Sequence, residues 1–156
     1  MKTKKVKGFT LVELIVVIAI IGVLAAILVP TMLGYVKKSK ISSMNASAKA
    51  LHDAVATALI EADAASINVE AKDYSRGDHD FLDKQIIAYY AGYEKANHNF
   101  HYRVAGMAVI GATVDDNIYI GGFPTGATLS NGKKENNAFS YGLDDACAAN
   151  AAIDES

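Results

Sequence analysis

The sequence predicts an α+β chain: a long N-terminal helix, apolar in its first half and amphipathic in its second, packed on a small antiparallel sheet of three or four strands. Three observations carry this. Leu14 to Val36 are 23 consecutive uncharged residues, mostly Ile, Val, Leu and Ala. Ile41, Met44, Ala48, Leu51, Val55 and Leu59 then recur at spacings of three and four, with no Gly or Pro between Tyr35 and Ser66, the pattern of one buried helical face. Further on the period drops to two, where Phe100, Tyr102 and Val104 alternate with His101, Arg103 and Ala105, as in a half-buried strand.

As a helix the uncharged run is about 35 Å long, enough to cross a hydrocarbon core of about 30 Å. Lys2, Lys4, Lys5 and Lys7 precede it and Lys37, Lys38 and Lys40 follow it. The excess on the N-terminal side assigns that end to the cytoplasm. An ordinary secretory signal fits poorly, because a short apolar region should lead directly to an A-x-A-like site; the nearest such triplet, Ala46-Ser47-Ala48, lies beyond the three lysines. A plain single-pass anchor accounts for the length but leaves Glu13 unexplained, since an ionisable group at membrane depth costs roughly 2.5–3.5 kcal/mol. The whole first helix is expected from near Phe9 to about Asp63, some 80 Å at 1.5 Å per residue. Its Met and Leu stripe reads as core packing.

The remainder, 64–156, reads as a globular head. Residues 64–98 form a connection in which Asp78 is expected to cap a short helix, 78–91, through Phe81, Leu82, Ile86, Ile87 and Tyr90, ending at Gly92. Antiparallel strands are expected over about 99–141: the Phe100 strand, Met107 to Thr113, Asn117 to Phe123, and Ala138 to Tyr141. Asp115-Asp116-Asn117 and Asn131-Gly132 supply turns. Such a sheet would lay one face on the helix and turn the other to solvent.

At 156 residues the chain has room for one ordinary domain. Without residues 1–8 the formal charge falls from −2 to −6, with 11 Lys and Arg against 17 Asp and Glu. Such an acidic body argues against nucleic-acid binding, which needs cations to neutralise phosphates. Cys147 stands alone, so no intrachain disulfide closes the fold. No cofactor, metal site or catalytic arrangement emerges. His52, His79, His98 and His101 do not cluster, and the three-residue spacing of His98 and His101 at a strand start points them to opposite faces. Asp115-Asp116 and Asp144-Asp145 offer oxygen ligands for Ca²⁺ but read first as solvated turn carboxylates. Gly121-Gly122-Phe123-Pro124-Thr125-Gly126 lacks a phosphate-loop Lys and reads as a turn. The chain is expected to be a non-enzyme.

The string Lys7-Gly8-Phe9-Thr10-Leu11-Val12-Glu13-Leu14-Ile15 resembles the cleavage and assembly motif of type IV pilins and their pseudopilin relatives. The resemblance covers about the first 35 residues. It implies that 1–8 is a leader cut between Gly8 and Phe9 by a membrane-embedded prepilin peptidase, which also N-methylates Phe9. It implies that Glu13 pairs with the N-terminal amine of a neighbouring copy. The same resemblance implies that 9–36 is a membrane and filament-core helix, interrupted at Gly22 and Pro30 and losing helicity between them in the filament, and that 37–63 is the amphipathic half covered by the head.

Physical chemistry is consistent with those roles. Gly8 lets a protease approach the backbone closely, and two buried opposite charges that meet are tolerable where either alone is expensive. The reading is therefore a type IV pilus subunit for adhesion, motility or uptake. It would stand singly across the inner or cytoplasmic membrane before assembly and in an extracellular surface filament after it. Its partners would be copies of itself, the peptidase, the assembly machinery and the lipid bilayer. The alternatives are a pseudopilin of a type II secretion or DNA-uptake machine and a membrane-tethered binding domain that never polymerises.

Overall fold

The structure is a computed structural model that describes residues 8–136 and 139–151. Helix α1 runs unbroken from Leu11 to Ala64. It is followed by β1 (Asp73–Ser75), α2 (Asp80–Tyr89), a 3₁₀ turn (Ala91–Glu94), β2 (Asn99–Ala105), β3 (Ala108–Asp115), β4 (Ile120–Phe123) and α3 (Leu143–Ala151). The chain divides into two compact units between Val36 and Lys37. In the first, every residue from Gly8 to Val36 is exposed.

The second unit holds the core. The expected helical face is the buried one: Ile41, Met44, Ala48, Leu51, Val55 and Leu59 are all covered, with Ala54, Ala58 and Ala62 between them. Alanines at these positions allow the sheet to approach the helix closely. The sheet is antiparallel in the order β1-β2-β3-β4. Strand β2 buries Phe100, Tyr102 and Val104 in the same cluster as the helix face, so the period-two reading holds. Tyr74 of β1 stacks on Tyr102 with ring centroids 5.4 Å apart. Tyr93 packs against Phe100 at 4.9 Å and donates its hydroxyl proton to Asp83 at 2.5 Å.

Several local expectations are corrected. Asp78 does not cap α2. Its carboxylate accepts the Ser75 amide at 2.6 Å and closes the preceding turn, while His79 takes the cap position. The helix stops at Tyr89, and the chain reaches Gly92 in the 3₁₀ turn. Strand β1 carries too few residues for periodicity to reveal. The glycine-rich segment is not simply a turn, because Gly121 and Gly122 lie within β4. A side chain at Gly121 would run into the α1 backbone at Met44 and Asn45, and one at Gly122 into Tyr141. Of the expected last strand, Ala138 lies outside the described residues, and Phe139 to Tyr141 are not in a strand.

Helix α3 follows instead, and it covers sheet surface that was expected to face water. Gly111 meets Cys147 so closely that a β-carbon there would strike the sulfur. Residues Gly111 to Val114 are consequently buried in succession rather than alternately.

Candidate assembly site at the N-terminus

The described chain begins at Gly8, and α1 starts three residues later. Thr10 occupies the position before the first helical residue, with Glu13 three residues on. The Glu13 carboxylate accepts the Thr10 backbone amide at 2.9 Å and the Thr10 hydroxyl at 2.6 Å through the same oxygen, Oε2. In return the Glu13 amide donates to the Thr10 hydroxyl at 3.3 Å. This reciprocal arrangement is a capping box, which satisfies amides that the first helical turn leaves open. Thr10 was missed in the sequence reading, although Thr-x-x-Glu before an apolar run is its signature. Glu13 Oε1 accepts no hydrogen bond among the described residues, so the carboxylate retains one oxygen for another donor.

Beyond the cap, α1 is long and apolar enough to cross a membrane. Leu14, Ile18, Ile21, Leu24 and Leu28 are each more than half exposed. The helix continues through Gly22 and Pro30, and the Thr31 hydroxyl donates to the Leu28 carbonyl at 2.8 Å. In the single chain, then, the stretch between the two helix-weakening residues is helical.

The other sequence-singled residues serve the head. Asp115 is buried and accepts from the Asn99 amide group and the Asn117 backbone at 3.0 Å each. Asp116 accepts the Ile118 and Tyr119 amides at 3.1 and 2.7 Å. Asp145 accepts the Gly142 amide at 2.8 Å. Asp144 pairs with Arg103 at 2.7 Å. Both acidic pairs are thus engaged in turns and pairing rather than gathered around a common centre, and among the described residues no three His, Cys, Asp or Glu side chains cluster as metal ligands. His98 stacks on the Phe100 ring with centroids 6.1 Å apart, whereas His101 Nδ1 lies 2.8 Å from Ser75 Oγ, so the two rings engage different partners. Both residues border a niche of about 120 Å³ with Ser75 and Arg76. Cys147 is a buried free thiol, and burial pushes its pKa up.

Asn45 is a second residue that sequence reasoning passed over. From α1 it accepts the Gly122 and Ala127 amides at 3.0 and 2.9 Å and donates to the Ala127 carbonyl at 2.9 Å. One side chain thereby holds both ends of the segment after β4. No hydrophobic or charge pattern marks such a residue in a sequence.

A family profile described as "Prokaryotic N-terminal methylation motif" matches residues 3–29. The chain is 42% identical over 55 residues to the type IV major fimbrial protein FimA of Dichelobacter nodosus, covering 35% of each chain. It is 49% identical over 55 residues to the type IV major alpha-pilin of Moraxella bovis, again 35% of each. Against a fimbrial protein of Pseudomonas aeruginosa it is 41% identical over 58 residues, 37% of this chain and 38% of that one. The chain spans about a third of the length of the curated relatives it matches. No solved structure gives a significant match. Residues 3–29 thus carry a prokaryotic N-terminal methylation motif, and about the first third of the chain is similar to type IV fimbrial proteins.

Proposed function

We propose that this chain is a non-enzymatic structural subunit of a type IV pilus, cut between Gly8 and Phe9, methylated on Phe9 and polymerised through α1. The observation that carries the proposal is Glu13 at the head of an exposed apolar helix, with one carboxylate oxygen used by Thr10 and the other accepting no hydrogen bond among the described residues. An apolar helix without cover in its own fold needs lipid or other helices around it. Glu13 makes a solitary subunit expensive in that environment and a docked one tolerable, because the amine created at Phe9 of a neighbouring copy supplies the opposite charge. Before assembly the subunit would sit in the inner or cytoplasmic membrane with its N-terminus inside, in contact with the peptidase and the assembly machinery. After assembly it would lie in a surface filament. Gly22 and Pro30 would then allow the intervening helix to loosen when packed among copies, as each lowers helical stability, by about 1 and 3 kcal/mol respectively.

N-terminal mass analysis of protein sheared from cells tests this directly. The expected species begins with N-methyl-Phe at residue 9. Recovery of chains starting at Met1 or near residue 49 would overturn the reading. Long surface fibres rich in this chain distinguish a pilus from a pseudopilus.

A further inference from the structure

A groove of about 590 Å³ opens at the start of the second unit, lined by Lys38, Ile41, Ser42 and Asn45 on α1 and by the segment Ala127–Ser130. We infer that this groove holds an anionic phospholipid from the leaflet in which the subunit stands before assembly. The inference rests on the membrane-standing stage of the proposed function.

Four observations meet here. Lys38 lies two residues beyond Val36, the end of the uncharged run. A residue two positions past that run, about 3 Å along a helix, falls within the headgroup layer, which is about 5–7.5 Å deep on each side of a hydrocarbon core of about 30 Å. Second, Lys37, Lys38 and Lys40 are all exposed, and none has an ion-pair partner among the described residues. Three unpaired cations in four residues contrast with a body that is otherwise strongly acidic. Third, the groove has an apolar floor at Ile41 and an exposed apolar lip at Leu129, with hydroxyls of Ser42, Thr128 and Ser130 around them. That pairing of apolar surface with cations and hydroxyls suits the glycerol and upper acyl region of a lipid beside its phosphate.

Fourth, the wall is built rather than loose. Asn45 fixes Ala127 through two hydrogen bonds, Asn131 accepts the Thr128 amide at 2.7 Å, and the Gly132 amide donates to the Thr128 carbonyl at 2.8 Å. Of the three lysines Lys38 lines the groove, and each cation near an anionic lipid surface contributes roughly fivefold in affinity. Charge complementarity selects an anionic lipid over a zwitterionic one.

The test uses the full chain carrying Leu129→Trp as a fluorescence reporter, since the natural sequence has no Trp. In detergent micelles it is titrated with palmitoyl-oleoyl phosphatidylglycerol and, separately, with the phosphatidylcholine of the same chains. The expected result is a saturable blue shift with phosphatidylglycerol at concentrations at least tenfold lower than with phosphatidylcholine. Combined Lys37→Gln, Lys38→Gln and Lys40→Gln substitutions should erase that preference. Equal responses to both lipids, an undiminished preference in the triple variant, or no shift with either would overturn the inference. Flotation of the same protein with phosphatidylcholine vesicles separates the failures. A chain that floats but shows no preference sinks only the groove, whereas one that does not float sinks the membrane reading along with it.

Discussion

Both halves of α1 are rich in apolar residues, but only one of them is covered. From Leu11 to Val36 every residue is exposed, whereas from Ile41 to Ala62 one face disappears beneath the sheet. The second half alternates buried and polar positions because it has a single partner, its own head. The first half is apolar all round, the composition of a helix that is covered from every side. One helix therefore shows burial completed within the fold along one half and apolar surface left open along the other. Substitutions at matched positions in the two halves should separate these.

The largest effect is expected at Glu13. Glu13→Ala should abolish surface filaments, counted by electron microscopy, while the protein still fractionates with membranes. It should leave thermal unfolding of the head unchanged. Filaments at normal abundance would show that the carboxylate has no part in assembly. Thr10→Val removes the hydroxyl from the capping box but not the backbone amide, and should cost assembly less.

Next come paired leucine truncations. Leu51 is fully buried against the sheet, whereas Leu24 is more than half exposed. Leu51→Ala should destabilise the head by about 2–5 kcal/mol, combining lost apolar burial with the cavity left behind. Leu24→Ala should leave head stability unchanged. Chemical denaturation in micelles, followed by near-UV circular dichroism of the buried tyrosines, reads both. A comparable loss from Leu24→Ala would mean that the two halves are not energetically separate. Asn45→Ala is expected to cost about 1–3 kcal/mol by the same assay, because it removes the partner of three part-buried backbone groups at Gly122 and Ala127.

How much of this was legible beforehand follows from what each element depends on. The helix face from Ile41 to Leu59 and the Phe100 strand were readable because repeating burial writes a period into the chain. The capping box at Thr10 and Glu13 was readable in principle, being a local pattern four residues long. Asn45 was not, since its partners lie 77 and 82 residues away and its type carries no period. Strand β1 exists because Asp73 and Tyr74 have partners in β2, and three residues cannot announce that alone. Helix α3 was not anticipated, for a related reason. Its small residues, Ala146 and Cys147, are chosen by what they touch, Gly111 above all, rather than by a strong amphipathic rhythm.

The smallest expected effect concerns how the head closes its C-terminal end without a disulfide. Arg103 grips Asp73 with two hydrogen bonds, at 2.5 and 2.9 Å, and reaches Asp144 at the start of α3 at 2.7 Å. The Thr125 amide donates to the Ala146 carbonyl at 3.2 Å, and the Tyr141 hydroxyl donates to the Thr125 carbonyl. The guanidinium of Arg103 holds the Asp73 carboxyl below the usual carboxylate range, although partial burial opposes it. A carboxyl with a depressed folded-state pKa binds fewer protons in the folded chain than in the unfolded one, so its stabilisation is present above the unfolded value of about 3.9 and fades as pH falls below it. The groups are partly exposed, and Asp144 largely so, which limits the whole triad to about 1 kcal/mol at neutral pH. Arg103→Met should therefore lower head stability by that amount at pH 7, with the gap to the natural chain closing as pH falls below the unfolded carboxyl value of about 3.9. A gap of constant size down to acid pH would assign the loss to packing of the arginine stem rather than to its charge. No change of either kind should accompany Lys37→Gln, since Lys37 is exposed and has no ion-pair partner among the described residues.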